Sequence, residues 1–279
     1  MSVSLLTPAA RWLAAGLRAL AVAGGATLVA MVLGGEGALG AHTPAQIRAF
    51  AVWVLAPEAA VRALLWASGA KLSVCAGDLV FVGRGTRRIE LPAADVAEVR
   101  AWRLPLPLPG ATLRLARGAQ WPFMLARADA LALQAALGAA VAVPVSPAHA
   151  AHYAHAALAP RGHRLWQHPL AKFVLLPFVL AVPAFTLHQR IAFGAAFGEV
   201  QLFGWLAYAK GFVLWWAAWG IGVTIAAAAL RAAIEAGTWA VVAWQPARAP
   251  AVRRMLERAG LVLLYLGLPA WLVLRVGLG

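Results

Sequence analysis

The chain has 279 residues, of which 63% are hydrophobic and 12% charged, with 13 Trp and a mean hydropathy of +0.76. A soluble domain carries about 25% charged residues, so half that share points away from a soluble domain and toward an integral membrane protein. The net charge of +14, from 24 basic and 10 acidic residues, then reads as anchoring against anionic lipid rather than nucleic-acid binding, and the single Cys75 excludes an internal disulfide or a thiolate metal cluster.

Arg11 and Arg18 precede an apolar run from Ala19 to Leu33. Counted from Trp12 it is long enough to cross a hydrocarbon core, which takes about 20 residues. Gly24 and Gly25 offer a close-packing face between helices. An uncleaved span is expected over a signal peptide, because no small-x-small site precedes the next apolar segment. Thr43-Pro44 reads as a helix start, with Thr as N-cap and Pro in the first turn. The segment from Phe50 to Ser68 contains Pro57 and a Glu58/Arg62 pair four residues apart, which can meet on one helix face. It reads as a kinked span, with a surface-lying amphipathic helix as the other possibility.

From about Lys71 to Val143 the pattern is no longer that of a membrane helix. Leu72–Cys75 and Leu79–Val82 are short β-prone runs joined through Ala76-Gly77-Asp78. Arg88–Leu91 and Thr112–Leu115 alternate polar and apolar, as half-buried strands do, and Asp95–Trp102 alternates less cleanly. Pro105, Pro107 and Pro109 fit a loop or an edge, and Trp121–Leu125 reads as a last strand. Ala130, Leu133 and Leu137 then fit one helix face.

Two runs, Gly77-Asp78-Leu79-Val80-Phe81 and Ile89-Glu90-Leu91-Pro92-Ala93-Ala94-Asp95-Val96-Ala97-Glu98-Val99, together with this order of short strands and one closing helix, resemble the bacterial pleckstrin-homology-like domains of small bacterial membrane proteins. The resemblance covers about a quarter of the chain; the proline-rich Leu104–Pro109 segment departs from it as a lengthened loop. It implies a curved sheet plugged by a helix, used for binding or scaffolding and without chemistry of its own.

Pro144 and Pro147 open a His-rich linker carrying His149, His152 and His155, then His163 and His168. Two histidines three apart can share a metal, but the third drifts around the helix. With no carboxylate nearby in sequence to orient the rings, an interfacial linker is the stronger reading of this segment. Leu170–Thr186 is the next apolar segment, with Lys172 at its start placed to snorkel. A loop with Phe193-Gly194 and Phe197-Gly198 leads to Phe203-Gly204 and the longest apolar run, Leu202–Leu230, interrupted by Lys210. Ionisable residues inside a membrane segment are functional candidates by default; Glu199 and His188 fall near the same face and can pair with Lys210. Outward snorkelling of Lys210 is the competing account. Arg231–Arg258 is basic and partly helical, with Glu235 assigned no role, and a last span runs from Gly260 to about Val276.

These segments give a membrane α-helical protein of about five spans with an inserted small α+β domain. The divisions are 1–70 (membrane helices), 71–143 (the pleckstrin-like domain), 144–169 (linker) and 170–279 (membrane helices). With the N-terminus in the cytoplasm, Arg48, Arg190 and Arg275 fall outside, whereas eleven basic residues from Lys71 to Arg164 and five from Arg231 to Arg258 fall inside, as the positive-inside rule requires. The Arg- and Ala-rich, Lys-poor usage suggests a GC-rich bacterial genome, so the membrane expected is the bacterial cytoplasmic one. Arg84, Arg87 and Arg88 form a basic turn placed to meet anionic headgroups, each worth about 1 kcal/mol near such a surface, or else a solvated loop. No Walker loop, dinucleotide fingerprint, nucleophile elbow or zinc-protease motif is present, so nothing points to an enzyme or a cofactor. The expected role is a scaffold or interaction subunit binding other membrane proteins or lipid. The alternative is a small transporter or lipid-handling protein built on Lys210, Glu199 and His188.

Overall fold

The computed structural model describes residues 1–34, 44–75, 78–83, 88–137, 148–159 and 167–278. Most of them are helical, and a separate seven-stranded antiparallel sheet is present. The chain divides into two compact units. One comprises Met1–Val22, Leu55–Pro160 and Glu235–Met255; the other comprises Ala23–Val54, Arg161–Ile234 and Leu256–Gly279.

The first unit is built on strands β1 (Ser2–Leu6), β2 (Gly69–Cys75), β3 (Asp78–Gly83), β4 (Arg88–Pro92), β5 (Val96–Ala101), β6 (Gly110–Leu115) and β7 (Gln120–Ala126). Their order across the sheet is β4-β3-β2-β1-β7-β6-β5. The six strands after residue 68 follow the alternation in the sequence closely. β1 does not: residues 1–70, expected as membrane helices, supply the central strand, with Val3 paired to Ala70 on one side and Leu5 to Leu125 on the other. Five residues before an apolar helix are too few for periodicity to separate strand from leader. β1 is identified by its two partners, both more than sixty residues away.

The sheet core is made by Leu79, Phe81, Val99, Leu113, Leu125 and Leu133, all fully buried, with Phe81 stacked on Trp121 at 4.9 Å. Leu133 comes from helix α4 (Ala130–Leu137), numbered after the three membrane-type helices α1–α3 described below. Asp129 caps this helix by accepting from the backbone N–H groups of Leu131 and Ala132 at 3.1 and 3.3 Å. Residues 138–147 lie outside the described part. Part of the expected linker is an ordered helix, α5 (Ala148–Leu158), whose Ala150 and Ala151 join the sheet core.

Two chain crossings tie the sheet to apolar helices with no linker between. Thr7 alone separates β1 from α1 (Pro8–Gly34), its hydroxyl accepting from the Ala10 N–H at 3.2 Å with Pro8 opening the first turn. Ser68 alone separates α3 (Ala56–Ala67) from β2. Leu6, Ala14, Val61, Leu65, Trp102 and Ala126 form a second buried cluster where these elements meet. The pair expected on α3 is present, Arg62 to Glu58 at 3.2 Å, and Arg18 of α1 joins the same carboxylate at 3.2 Å.

In the second unit, α2 (Pro44–Phe50) runs through a π turn, Ala51–Leu55, toward α3. Gly24 of α1 packs so closely on Trp53 that an added Cβ would lie 2.8 Å from the Trp53 Cβ, the close approach for which small residues serve. Helix α6 (Leu176–Phe193) is followed by α7 (Gly198–Trp244), α8 (Ala249–Val262) and α9 (Leu268–Leu278). Leu176, Leu180, Val223 and Leu264 are buried together. α7 comprises two helical pieces, of which the longer, 205–244, is about 60 Å long, about twice a hydrocarbon core of about 30 Å. It is broken at Gly204, where φ is 82° and ψ 171°, values open to glycine alone.

Among the described residues four helical stretches are long and apolar enough to cross a membrane: Pro8–Met31, Pro44–Ala67, Ala171–Phe193 and Gly198–Trp244. Only 11% to 28% of each apolar window is buried within the protein, so most of that apolar surface faces outward, as a lipid environment requires. The fifth expected segment, 260–276, is helical as α8 continues through a π turn into α9, but it is not one of those four.

Candidate functional site

The basic turn expected at Arg84, Arg87 and Arg88 is only partly visible. Arg84 and Arg87 lie outside the described residues. Arg88, on the edge strand β4, pairs with Glu90 two residues along the same face at 2.5 Å. Both side chains are more than half exposed, a setting in which an ion pair contributes little to stability.

A stronger concentration of positive charge sits where β5, β6 and β7 meet the first turns of α1. A cleft of about 420 Å³ is lined there by Arg11, Arg100, Trp102, Arg103, Gln120 and Met124, among others. Arg11 is 8% exposed and among the described residues bonds only to neutral groups, donating to the carbonyls of Leu104 at 3.1 Å and Leu106 at 3.2 Å. Its guanidinium lies 4.0 Å from the Trp102 ring. Seven residues further along α1, Arg18 donates to the carbonyl of Pro107. The proline-rich loop is thus strapped along α1, its carbonyls freed by the lack of a strand partner. The sequence showed Arg11 and Arg18 only as flanking charges.

In the helical unit the expected trio does not assemble. Glu199 accepts from the Gln189 side-chain N–H at 2.6 Å, while its backbone N–H donates to Gln189 Oε1 at 3.3 Å. Gln189 is fully buried. His188 lies against Trp215 at 5.0 Å and near Phe185 and Phe193. Lys210 is exposed and has no ion pair among the described residues, in keeping with the snorkelling account. Gln189 is the polar partner that sequence reasoning missed, since an amide carries no charge to draw attention.

The three histidines also separate. His149 and His155 are exposed and His152 half-buried, and no group of three or more His, Cys, Asp or Glu side chains able to hold a metal occurs among the described residues. A carboxylate does orient one ring, contrary to the expectation. Asp129 Oδ2 lies 2.7 Å from His155 Nδ1, so one side chain both caps α4 and fixes α5. Twenty-six residues apart, the pair had no local signal.

A further cluster, built from α5, the end of α7 and α8, was wholly unexpected. Arg253, 1% exposed, makes a bidentate pair with Glu235 at 2.7 and 2.8 Å and reaches the Thr238 hydroxyl at 3.2 Å. The Tyr153 hydroxyl donates to Glu235 at 2.5 Å, and its ring stacks on Trp239 at 4.5 Å. Glu235, to which no role was assigned, is the hub. Burial, then the hydrogen bond and charge of Glu235, push the Tyr153 hydroxyl up to about 12. The folded protein therefore holds this proton more tightly than the unfolded chain. The associated stability is complete below about pH 10, the ordinary tyrosine value, and is lost as pH rises toward 12. In an absorbance titration Tyr153 ionises as a late phase that Tyr153→Phe removes.

Comparison with protein-family models, with curated proteins and with solved structures finds no match to this chain in any of the three.

Proposed function

We propose that the chain is a polytopic protein of the bacterial cytoplasmic membrane whose sheet unit is a pleckstrin-like recognition module. On this reading it works as a scaffold or assembly subunit, through contacts with other membrane proteins. The observation that carries it is the position of β1. The central strand of the sheet passes into α1 through one residue, and α3 returns to β2 through one residue. A sheet stitched this way into apolar helices at two of its strands is held at a membrane surface, where recognition of a membrane partner is the fitting task. The strand order followed by α4 over the core fits a curved sheet plugged by a helix. The topology that goes with this reading has five spans and the N-terminus inside, with the sheet and the basic 231–258 segment in the cytoplasm. Extraction from native membranes in mild detergent after crosslinking tests the role: the chain co-purifies with at least one other membrane protein, and a chain always recovered alone overturns the scaffold reading.

The pairing of buried Gln189 with half-buried Glu199 favours a second reading, a small transporter or lipid-handling protein using the region of Glu199, His188 and Lys210. Under it, Glu199→Gln and Lys210→Met abolish the physiological activity although the protein still reaches the membrane. Under the scaffold reading both variants keep full co-purification yield.

A further inference from the structure

The cleft beside α1 holds an electrostatic imbalance. Arg100 and Arg114 share the single carboxylate of Glu98, at 3.1 and 3.7 Å. Arg103 is exposed and Arg11 buried, and neither has a carboxylate partner among the described residues. Three guanidinium groups, those of Arg11, Arg100 and Arg103, thus line the cleft, and the one carboxylate paired with any of them, Glu98, is shared with Arg114 outside it. Removing a cation such as Arg11 from water is costly unless an anion compensates it. Trp102, which lines the same cleft at 5% exposure, has a buried indole N–H with no hydrogen-bond partner among the described residues, and a buried donor left unpaired calls for an acceptor.

The surroundings specify where that acceptor comes from. The loop strapped to α1 rises from Arg11 to Arg18, about 10 Å along the helix, in the direction in which α1 becomes uncharged from Ala19 to Gly34. Leu104 and Leu106 of this loop are 56% and 41% exposed, and Trp12 and Leu13 beside Arg11 are 57% and 59% exposed. Exposed leucines, a tryptophan and arginines at the mouth of an apolar helix are the composition of a membrane interface. We infer that this cleft takes the phosphate of an anionic phospholipid headgroup, with Arg103 and Arg100 at its mouth, Arg11 and the Trp102 N–H deeper, and Leu104 and Leu106 set among the acyl chains.

The inference rests on the membrane reading of α1 and not on any protein partner. Full-length protein is reconstituted into bilayers of phosphatidylcholine and phosphatidylglycerol, re-extracted in mild detergent, and its retained lipids are weighed by native mass spectrometry. Phosphatidylglycerol is retained in preference, and Arg103→Gln and Arg100→Gln each weaken retention about fivefold, while Arg103→Lys keeps most of it. Arg254→Gln removes the same charge from an exposed position on α8 and leaves retention unchanged. An equal loss in Arg254→Gln, no preference between the lipids, or complete displacement by inorganic phosphate each overturns the assignment, the last by making it a site for a soluble anion. Protein that never enters the bilayer overturns the membrane reading itself, a distinct outcome.

Discussion

Deleting Ser2–Leu6 abolishes the folded sheet unit while leaving the sequence of every other strand intact. β1 is hydrogen-bonded on both sides, so its loss splits the sheet into β4-β3-β2 and β7-β6-β5. Both halves then expose an unpaired edge, a template for aggregation. Val3 and Leu6, 2% and 1% exposed, leave the core with it. The graded version is Leu6→Ala, which costs about 2–5 kcal/mol because Leu6 packs among Ala14, Val61, Leu65 and Trp102. Limited proteolysis reads the outcome: in the deletion the sheet segments are cut at the rate of an unfolded chain. Persistence of a protected core fragment spanning β2 to α4 would show that the sheet folds without its central strand.

Glu235→Ala destabilises the sheet unit by about 3–5 kcal/mol, since it takes the bidentate carboxylate away from the buried Arg253. It also removes the acceptor of the Tyr153 hydroxyl. Replacing Glu235 and Arg253 together by methionine recovers most of the loss, because apolar groups of similar volume need no desolvation compensation. Chemical or thermal unfolding of the two variants beside the wild type measures both. If the double variant is no better than Glu235→Ala, the cluster acts through packing of Tyr153 and Trp239 rather than through charge.

The strands from β2 to β7 and helix α4 were legible because each satisfies its own pattern within a few residues. Arg88–Leu91 and Thr112–Leu115 alternate, and Ala130, Leu133 and Leu137 recur at helical spacing. The Glu58/Arg62 pair was legible for the same reason, being one helical turn apart. The arginine cleft was not. Arg11 reaches Trp102 and the loop carbonyls across more than ninety residues, and the proline spacing indicated a loop without indicating what would hold it. Of the residues singled out for binding, Glu199 bonds to Gln189, a partner that carries no charge to mark it in the sequence. His155 gained a carboxylate, and Glu235 gained a role, from segments packed against them.

Composition and periodicity by themselves determined that this chain carries apolar helices of membrane length around a strand-rich insert. Both are local quantities: hydrophobicity summed over a window, and side-chain direction repeating every two or 3.6 residues. Only the tertiary structure decided that the insert is completed by the first six residues, that α5 and the end of α7 belong to it, and that three arginines converge beside α1. Such pairings join residues sixty to about one hundred and twenty positions apart through hydrogen bonds and buried charge. Their free energy depends on where the chain brings them, which no local window contains.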